Sequence, residues 1–228
     1  GTMHEVINGM LKREDGLRVP IALVPNGSGN DLVNSFNVRD VDQALEWICK
    51  GELIKMDINK VLLDYEHEDD IPAEQRHMKL RYSCINTGCG FAAKVVHKAD
   101  AHKPYVGSAC YTTAALANFF ATDPDTYDVR FEQEDGSVIE MPNEPTMLLM
   151  VMNGKFGGSG TPFTPCSYLN DGLLDVCFHT GPSGLGLLRT YIRHAMIAKG
   201  MHFYKPVFSY FRAKSIRVTN KMVEEGRQ

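Results

Sequence analysis

The chain has 228 residues, 43% of them hydrophobic and 23% charged, with 24 basic against 28 acidic side chains and a formal net charge of −4. This length buries a core of one domain or two, and the slight acidity leaves no electrostatic footprint for nucleic acid. The longest apolar run, residues 147–152, is strand-sized and well below the roughly 18 residues of a membrane span. Six cysteines at 49, 84, 89, 110, 166 and 177 contain no Cys-x-x-Cys pair. They read as reduced and mostly packed, in a reducing compartment, and the first residues show neither a basic nor an apolar leader segment, so the expected location is cytoplasmic.

Residues 1–10 read as the end of a turn running into a helix, with Thr2 as N-cap and Glu5 completing a capping box three residues later. The strand that should precede such a turn is absent from the sequence, which is the signature of a partial motif. After a polar connection comes an apolar, β-branched run, Val19-Pro-Ile-Ala-Leu-Val24, that predicts a strand. It empties into Pro25-Asn-Gly-Ser-Gly-Asn-Asp31 and then a short helical segment at 32–36. In such a strand–loop–helix the glycines at 27 and 29 are expected at positive φ, bringing backbone N–H groups close to an anion at a helix start. The same Gly-Ser-Gly turn also serves as a plain connection. Asp40 is expected to cap a helix carrying Val41, Ala44, Leu45 and Ile48 on one face and stopping at Gly51.

From residue 52 the texture changes. Residues 54–61 and 79–86 alternate like strands around an acidic connection at 64–72, which reads as a solvated face. A helix is expected at 92–99 and a second, rich in small residues, at 105–120. Strands follow at 127–132, 138–141, 146–152, 172–178, 208–211 and 215–219, interrupted by one amphipathic helix capped by Ser183 and stopped at Gly200. The fold expected is α+β: a partial α/β lobe over residues 1–51 and a β-sandwich-like lobe over 52–228.

Five motifs in order carry a resemblance that covers the chain almost end to end. They are Gly1-Thr-Met-His-Glu-Val-Ile-Asn-Gly9, Pro25-Asn-Gly-Ser-Gly-Asn-Asp31, Asn86-Thr-Gly-Cys-Gly-Phe91, Asn153-Gly154 with Gly157-Gly158, and Asn170-Asp-Gly-Leu-Leu-Asp-Val176. Together they resemble the diacylglycerol kinase and sphingosine kinase superfamily of lipid kinases. The resemblance implies a nucleotide-binding lobe, a β-sandwich lipid lobe, and transfer of the γ-phosphoryl group of ATP, with Mg²⁺, to a lipid hydroxyl between them. Its partners are a lipid substrate and a membrane surface touched peripherally.

In that family Gly1 and Thr2 match the last two residues of a Gly-Gly-Asp-Gly-Thr turn whose Asp is taken as the catalytic base, so the base is expected just before Gly1 and the 228-residue chain is expected to be inactive alone. The nucleotide-binding residues implied are Gly1, Thr2, Glu5, Gly27, Ser28, Gly29 and Asn30, with Glu5 open between a nucleotide contact and a capping-box partner. Asp31 is read as a cap on the following helix. Asp171 matches a structural magnesium position of bacterial members, with backbone carbonyls near Tyr168 and Leu173 as co-ligands; an Asp-Gly turn into a strand is the competing reading and needs no ion.

Two positions depart from the pattern. Lys94 falls where sphingosine kinases carry an acid suited to an amine, and Lys98 and Lys103 stand in for phosphate-binding arginines. The first departure favours a neutral glycerolipid over a sphingoid base, although Met3-His4-Glu5 and Lys199-Gly-Met-His202 look closer to sphingosine kinases. A soluble phosphotransferase of the NAD kinase type and a non-catalytic lipid-binding module are the alternatives.

Overall fold

The structure is a computed structural model and describes residues 1–27, 29–106, 123–158, 160–180 and 208–221. The expected helices at 105–120 beyond residue 106, and the amphipathic helix from Ser183 to Gly200, lie outside the described residues. Three helices open the chain: α1 (Thr2–Leu11), α2 (Asp31–Ser35) and α3 (Val41–Lys50). Two short strands, β1 (Asn59–Leu62) and β2 (Leu80–Ser83), form an antiparallel pair, with the one-turn helix α4 (Arg76–Lys79) leading into the second. The acidic connection between them is solvated and paired outward, Glu68 with Lys60, Asp64 with Lys79 and Glu66 with Arg217.

The rest is an antiparallel sandwich. Strand β3 (Asn86–Gly90) runs into helix α5 (Phe91–Val106) and is followed by β4 (Asp125–Glu132), β5 (Val138–Thr146), β6 (Leu148–Met152), β7 (Leu174–His179), β8 (Phe208–Ala213) and β9 (Ser215–Asn220). One sheet has the order β3-β6-β7-β8 and the other β5-β4-β9. This is the α+β fold with a sandwich-like second part that the sequence predicts.

The two-residue period of a strand explains how the larger sheet serves two cores at once. On β6, Leu148, Met150 and Met152 face a cluster with Phe91 and Phe163, while Leu149 and Val151 face the smaller sheet through Tyr127, Val129 and Phe131. Phe131 stacks on Phe211 at 4.9 Å between centroids and meets Phe178 edge-on at 5.6 Å. Glycines in β3 make room for this packing. A Cβ on Gly88 would stand 2.9 Å from the sulfur of Met150 and 2.9 Å from the methyl of Ala92, and Gly90, at φ +66°, would bring one within 2.8 Å of the Met147 carbonyl oxygen.

Several local expectations are corrected. Residues 19–24 form no strand: a strand exists only with a hydrogen-bonded neighbour, and among the described residues no strand runs beside them. Ile21 and Leu23 still turn inward onto the core of the first part, whereas Val19 remains 65% exposed. The predicted strand at 54–61 is regular only from Asn59, and the predicted strand at 79–86 divides into β2, ending at Ser83, and β3, starting at Asn86. Helix α3 has the Asp40 cap, with the Gln43 N–H donating at 2.8 Å, and the left-handed Gly51 stop. Its apolar face is only partly used: Ala44 is buried, while Val41, Leu45 and Ile48 are exposed. Of the described cysteines, Cys84 and Cys177 are packed as expected and Cys89 is half-buried, whereas Cys49 and Cys166 are exposed.

His179, at the end of β7, is 1% exposed and packs edge-on against Phe208 at 4.9 Å. Burial lowers its pKa to about 4, so the native protein holds it neutral while the unfolded chain takes up a proton near pH 6.5. Its stabilising effect is complete above pH 6.5 and fades as the pH falls towards 4, by roughly 3 kcal/mol in all. Urea denaturation across this window should show the slope, and His179→Gln should flatten it.

Candidate functional site

The motifs come together at the junction between the opening helices and the sandwich. Ile7 of α1, Leu32 of α2 and Cys84 after β2 form one buried cluster, and Met3, Leu23, Met56, Ile58 and Leu169 pack against it. The first turn of α1, the 25–31 loop and the 168–173 turn therefore share a single apolar support. A second tie is polar: Asn8 of α1 donates to the Tyr82 carbonyl oxygen at 2.7 Å and accepts from the Tyr82 N–H at 2.9 Å.

Helix α1 starts differently from expectation. Gly1 is the N-cap, Thr2 is the first helical residue, and no side chain caps the end. The Thr2–Glu5 capping box is thus absent, because glycine has no oxygen to offer and Thr2 lies one position too far along. Glu5 is exposed. The consequence favours an anion: N–H groups of the first turn are left without a side-chain acceptor at the positive end of the helix dipole.

The 25–31 loop is closed from within. Asn30 takes the left-handed conformation (φ 53°) and its Oδ1 accepts the Gly27 N–H at 2.8 Å. Gly27 does not use positive φ; a Cβ there would meet Asn30 Oδ1 at 3.0 Å, so glycine is suited to the close approach of that side chain instead. The turn is shaped by Asn30, which short polar side chains permit. Gly29 is half-buried and Ser28 lies outside the described residues. Asp31 does not cap α2. It is the first residue of that helix, and its Oδ1 accepts the Gly160 N–H at 2.6 Å, joining the loop to the 157–161 segment of the sandwich across 129 positions of sequence.

The 168–173 turn rests on a residue that sequence reasoning missed. Asp57 accepts the Gly172 N–H at 2.7 Å through Oδ2, and its own N–H donates to the Leu169 carbonyl oxygen at 2.7 Å. Nothing in Lys55-Met-Asp-Ile58 distinguishes it from an outward-facing strand residue. Asp171 accepts the Leu173 N–H at 3.1 Å with Oδ1, and its Oδ2 is paired with the Arg212 guanidinium. Tyr168 is 64% exposed. Among the described residues no group of three or more His, Cys, Asp or Glu is assembled that could hold a metal ion. A divalent ion does not fit here: both oxygens of Asp171 are engaged, and unit charges 4 Å apart near a protein surface already interact by about 4 kcal/mol, so an ion beside Arg212 would be strongly repelled.

Of the two lysines expected to stand in for phosphate-binding arginines, Lys98 lies on α5 and is exposed, and the side chain of Lys103 lies outside the described residues. Lys94, on the first turns of α5, meets the Asp125 carboxylate at 3.1 Å, and the Tyr127 hydroxyl donates to the same group at 3.2 Å.

Comparison with known proteins gives the family. Residues 85–226 fit the family described as the YegS C-terminal NAD kinase beta sandwich-like domain, and residues 1–61 fit the diacylglycerol kinase catalytic domain. The chain belongs to the diacylglycerol kinase-like lipid kinase superfamily. Relatives include "Probable lipid kinase YegS" of Salmonella gallinarum, 24% identical over 183 residues, and the same protein of Salmonella schwarzengrund, 25% identical over 187 residues. Each alignment covers 79% of this chain and 54% of the relative, so the chain spans about half the length of these curated kinases. A diacylglycerol kinase structure from Bacillus anthracis str. Sterne superposes with a TM-score of 0.60 at 22% identity, over 97% of this chain and 64% of the other. That likeness is one of fold. No helix among the described residues is long and apolar enough to cross a membrane.

The Asp31–Gly160 contact bonds the loop directly to the sandwich segment. Asp31→Ala should lower stability by about 1–3 kcal/mol, seen as a fall in the urea midpoint at constant slope. Asp31→Asn, which keeps an acceptor oxygen, should recover most of it.

Proposed function

We propose that the parent protein is an ATP- and Mg²⁺-dependent lipid kinase whose reaction takes place at this junction. The observation that carries the reading is the convergence of the uncapped start of α1, the 25–31 loop and the 157–173 region on one support, tied by Asp31. Phosphoryl transfer depends on positioning and on stabilising charge that spreads over the phosphate oxygens. The first-turn amides of α1 suit that charge, with Glu5, Gly29 and Asn30 around the nucleotide. When bound with ATP, Mg²⁺ supplies further charge neutralisation on the phosphates. The carboxylate that takes the hydroxyl proton belongs to the turn that precedes Gly1 in the family. The lipid works from a membrane surface, which the protein touches peripherally.

For the acceptor, a neutral glycerolipid is favoured over a sphingoid base. The carboxylate nearest Lys94 is already taken by that lysine and by Tyr127, so an incoming ammonium meets no uncompensated negative charge. A second acceptor class, a soluble dinucleotide, is kept in view because the sandwich family is named for its likeness to NAD kinase.

Incubating the full-length parent with γ-labelled ATP and Mg²⁺ should label diacylglycerol, and sphingosine less; label on NAD alone, or on no acceptor, would overturn the proposal. The 228-residue chain by itself should show no turnover above background. Lys94→Ala should free the Asp125 carboxylate and raise the sphingosine-to-diacylglycerol ratio severalfold, measured as kcat/KM on mixed micelles. An unchanged ratio removes the charge argument for a neutral lipid.

A further inference from the structure

The 168–173 turn matches a position at which bacterial relatives are expected to carry a magnesium ion, yet its surroundings are built around a different cation. Arg212 lies on β8 directly opposite Asp175 of β7, and Tyr210 is two residues before it, on the same face of β8. The guanidinium therefore stands between two carboxylates. Its Nη2 pairs with Asp171 Oδ2 in the turn, and its Nε lies 3.5 Å from Asp175 Oδ1 in the sheet. Asp175 is fully buried and also accepts a hydrogen bond from the Tyr210 hydroxyl. The other side of the turn is held by Asp57, which accepts the Gly172 N–H. The turn is thus fixed at both ends by groups of the chain itself.

We propose that Arg212 is the resident cation of this turn, taking the place of a structural divalent ion and locking the 168–173 turn to β7 and β8. Two features make arginine suited to the role. It is permanently charged, and its planar fork of donors can serve two acceptors in fixed directions, whereas an ammonium is a single point charge. Removal of the guanidinium would leave Asp175 buried beside Asp171 with no counter-charge, and burial already pushes its carboxyl pKa above the usual range. A magnesium ion needs near-octahedral oxygen ligands and several retained waters, and a guanidinium in contact with the candidate carboxylate denies it that shell. The proposal concerns the architecture of the turn and stands apart from the choice of lipid or of reaction.

Thermal unfolding of the full chain without nucleotide, in EDTA and in millimolar MgCl₂ or MnCl₂, tests it. The wild-type protein should melt at the same temperature in all three. Arg212→Gln should melt roughly 5–10 °C lower in EDTA and regain part of that loss when Mg²⁺ or Mn²⁺ is added, because the Asp171 carboxylate then lacks its cation and the ion can restore a positive charge beside it and the buried Asp175. Arg212→Lys should fall between the two. Direct titration of Mn²⁺, followed by its spin-resonance signal, gives a second readout that needs no stable Arg212 variant: wild-type protein should leave the ion free. Tight binding of Mn²⁺ by wild-type protein that Asp171→Asn abolishes, or an EDTA-sensitive wild-type melt, would overturn the proposal. An Arg212→Gln protein that folds but gains nothing from either ion would overturn it as well.

Discussion

The side-chain amide of Asn153 is the contact on which the two parts of the molecule depend. It follows directly on β6, is fully buried, and donates through Nδ2 to the Asp57 carbonyl oxygen at 2.6 Å. Its backbone N–H donates to the Ile85 carbonyl oxygen at 2.8 Å, between β2 and β3. One residue thus pins the connection leading out of the opening helices to a central strand of the larger sheet and to the chain entering it. Asp57, placed this way, reaches the 168–173 turn with its carboxylate and its N–H. A buried amide has no equivalent replacement, since an apolar side chain of the same shape would leave carbonyl oxygens unpaired.

Around that contact, apolar packing and polar ties do different work. The two cores of the sandwich, on either side of β6 and β7, provide the non-directional burial that drives folding. They do not fix where the loops lie. Position is set by a few long-range hydrogen bonds, each joining residues far apart in sequence: Asn8 with Tyr82, Asp31 with Gly160, Asp57 with Gly172. Four of the five motifs that match a lipid kinase lie at or near one of these ties, and the fifth, Asn86–Phe91, is placed instead by the pairing of β3 with β6. The 25–31 loop is positioned by contacts that it shares with the opposite part of the molecule.

Much of this was legible in the sequence where the signal is local. The Asp40 cap and Gly51 stop, the strands at 127–132 and 215–219, and the α+β class follow from capping, alternation and turn chemistry. The signals failed where a distant partner decides. Val19 to Val24 has the composition of a strand and lacks a neighbour to pair with among the described residues. Asp31 has the identity of a helix cap and is claimed instead by Gly160. Asp57 and Arg212 carry no motif at all, since what makes them important is the chain that folds back onto them 115 and 41 residues away. Thr2 and Glu5 carry a capping-box pattern that a one-residue shift in the helix start dissolves.

Strand β6 raises a separate question of alignment. Being apolar on both faces, it would lose no burial by sliding one residue along its neighbours, so its pattern alone cannot choose between registers. The choice falls to the gaps in β3. Gly88 admits the Met150 side chain only when the two are opposite, and Gly90 admits the Met147 carbonyl only at the strand's end. The Gly-Cys-Gly of the family motif acts here as a keyway cut for one key, and a family signature in this lobe can be retained for alignment of the sheet as much as for contact with a lipid.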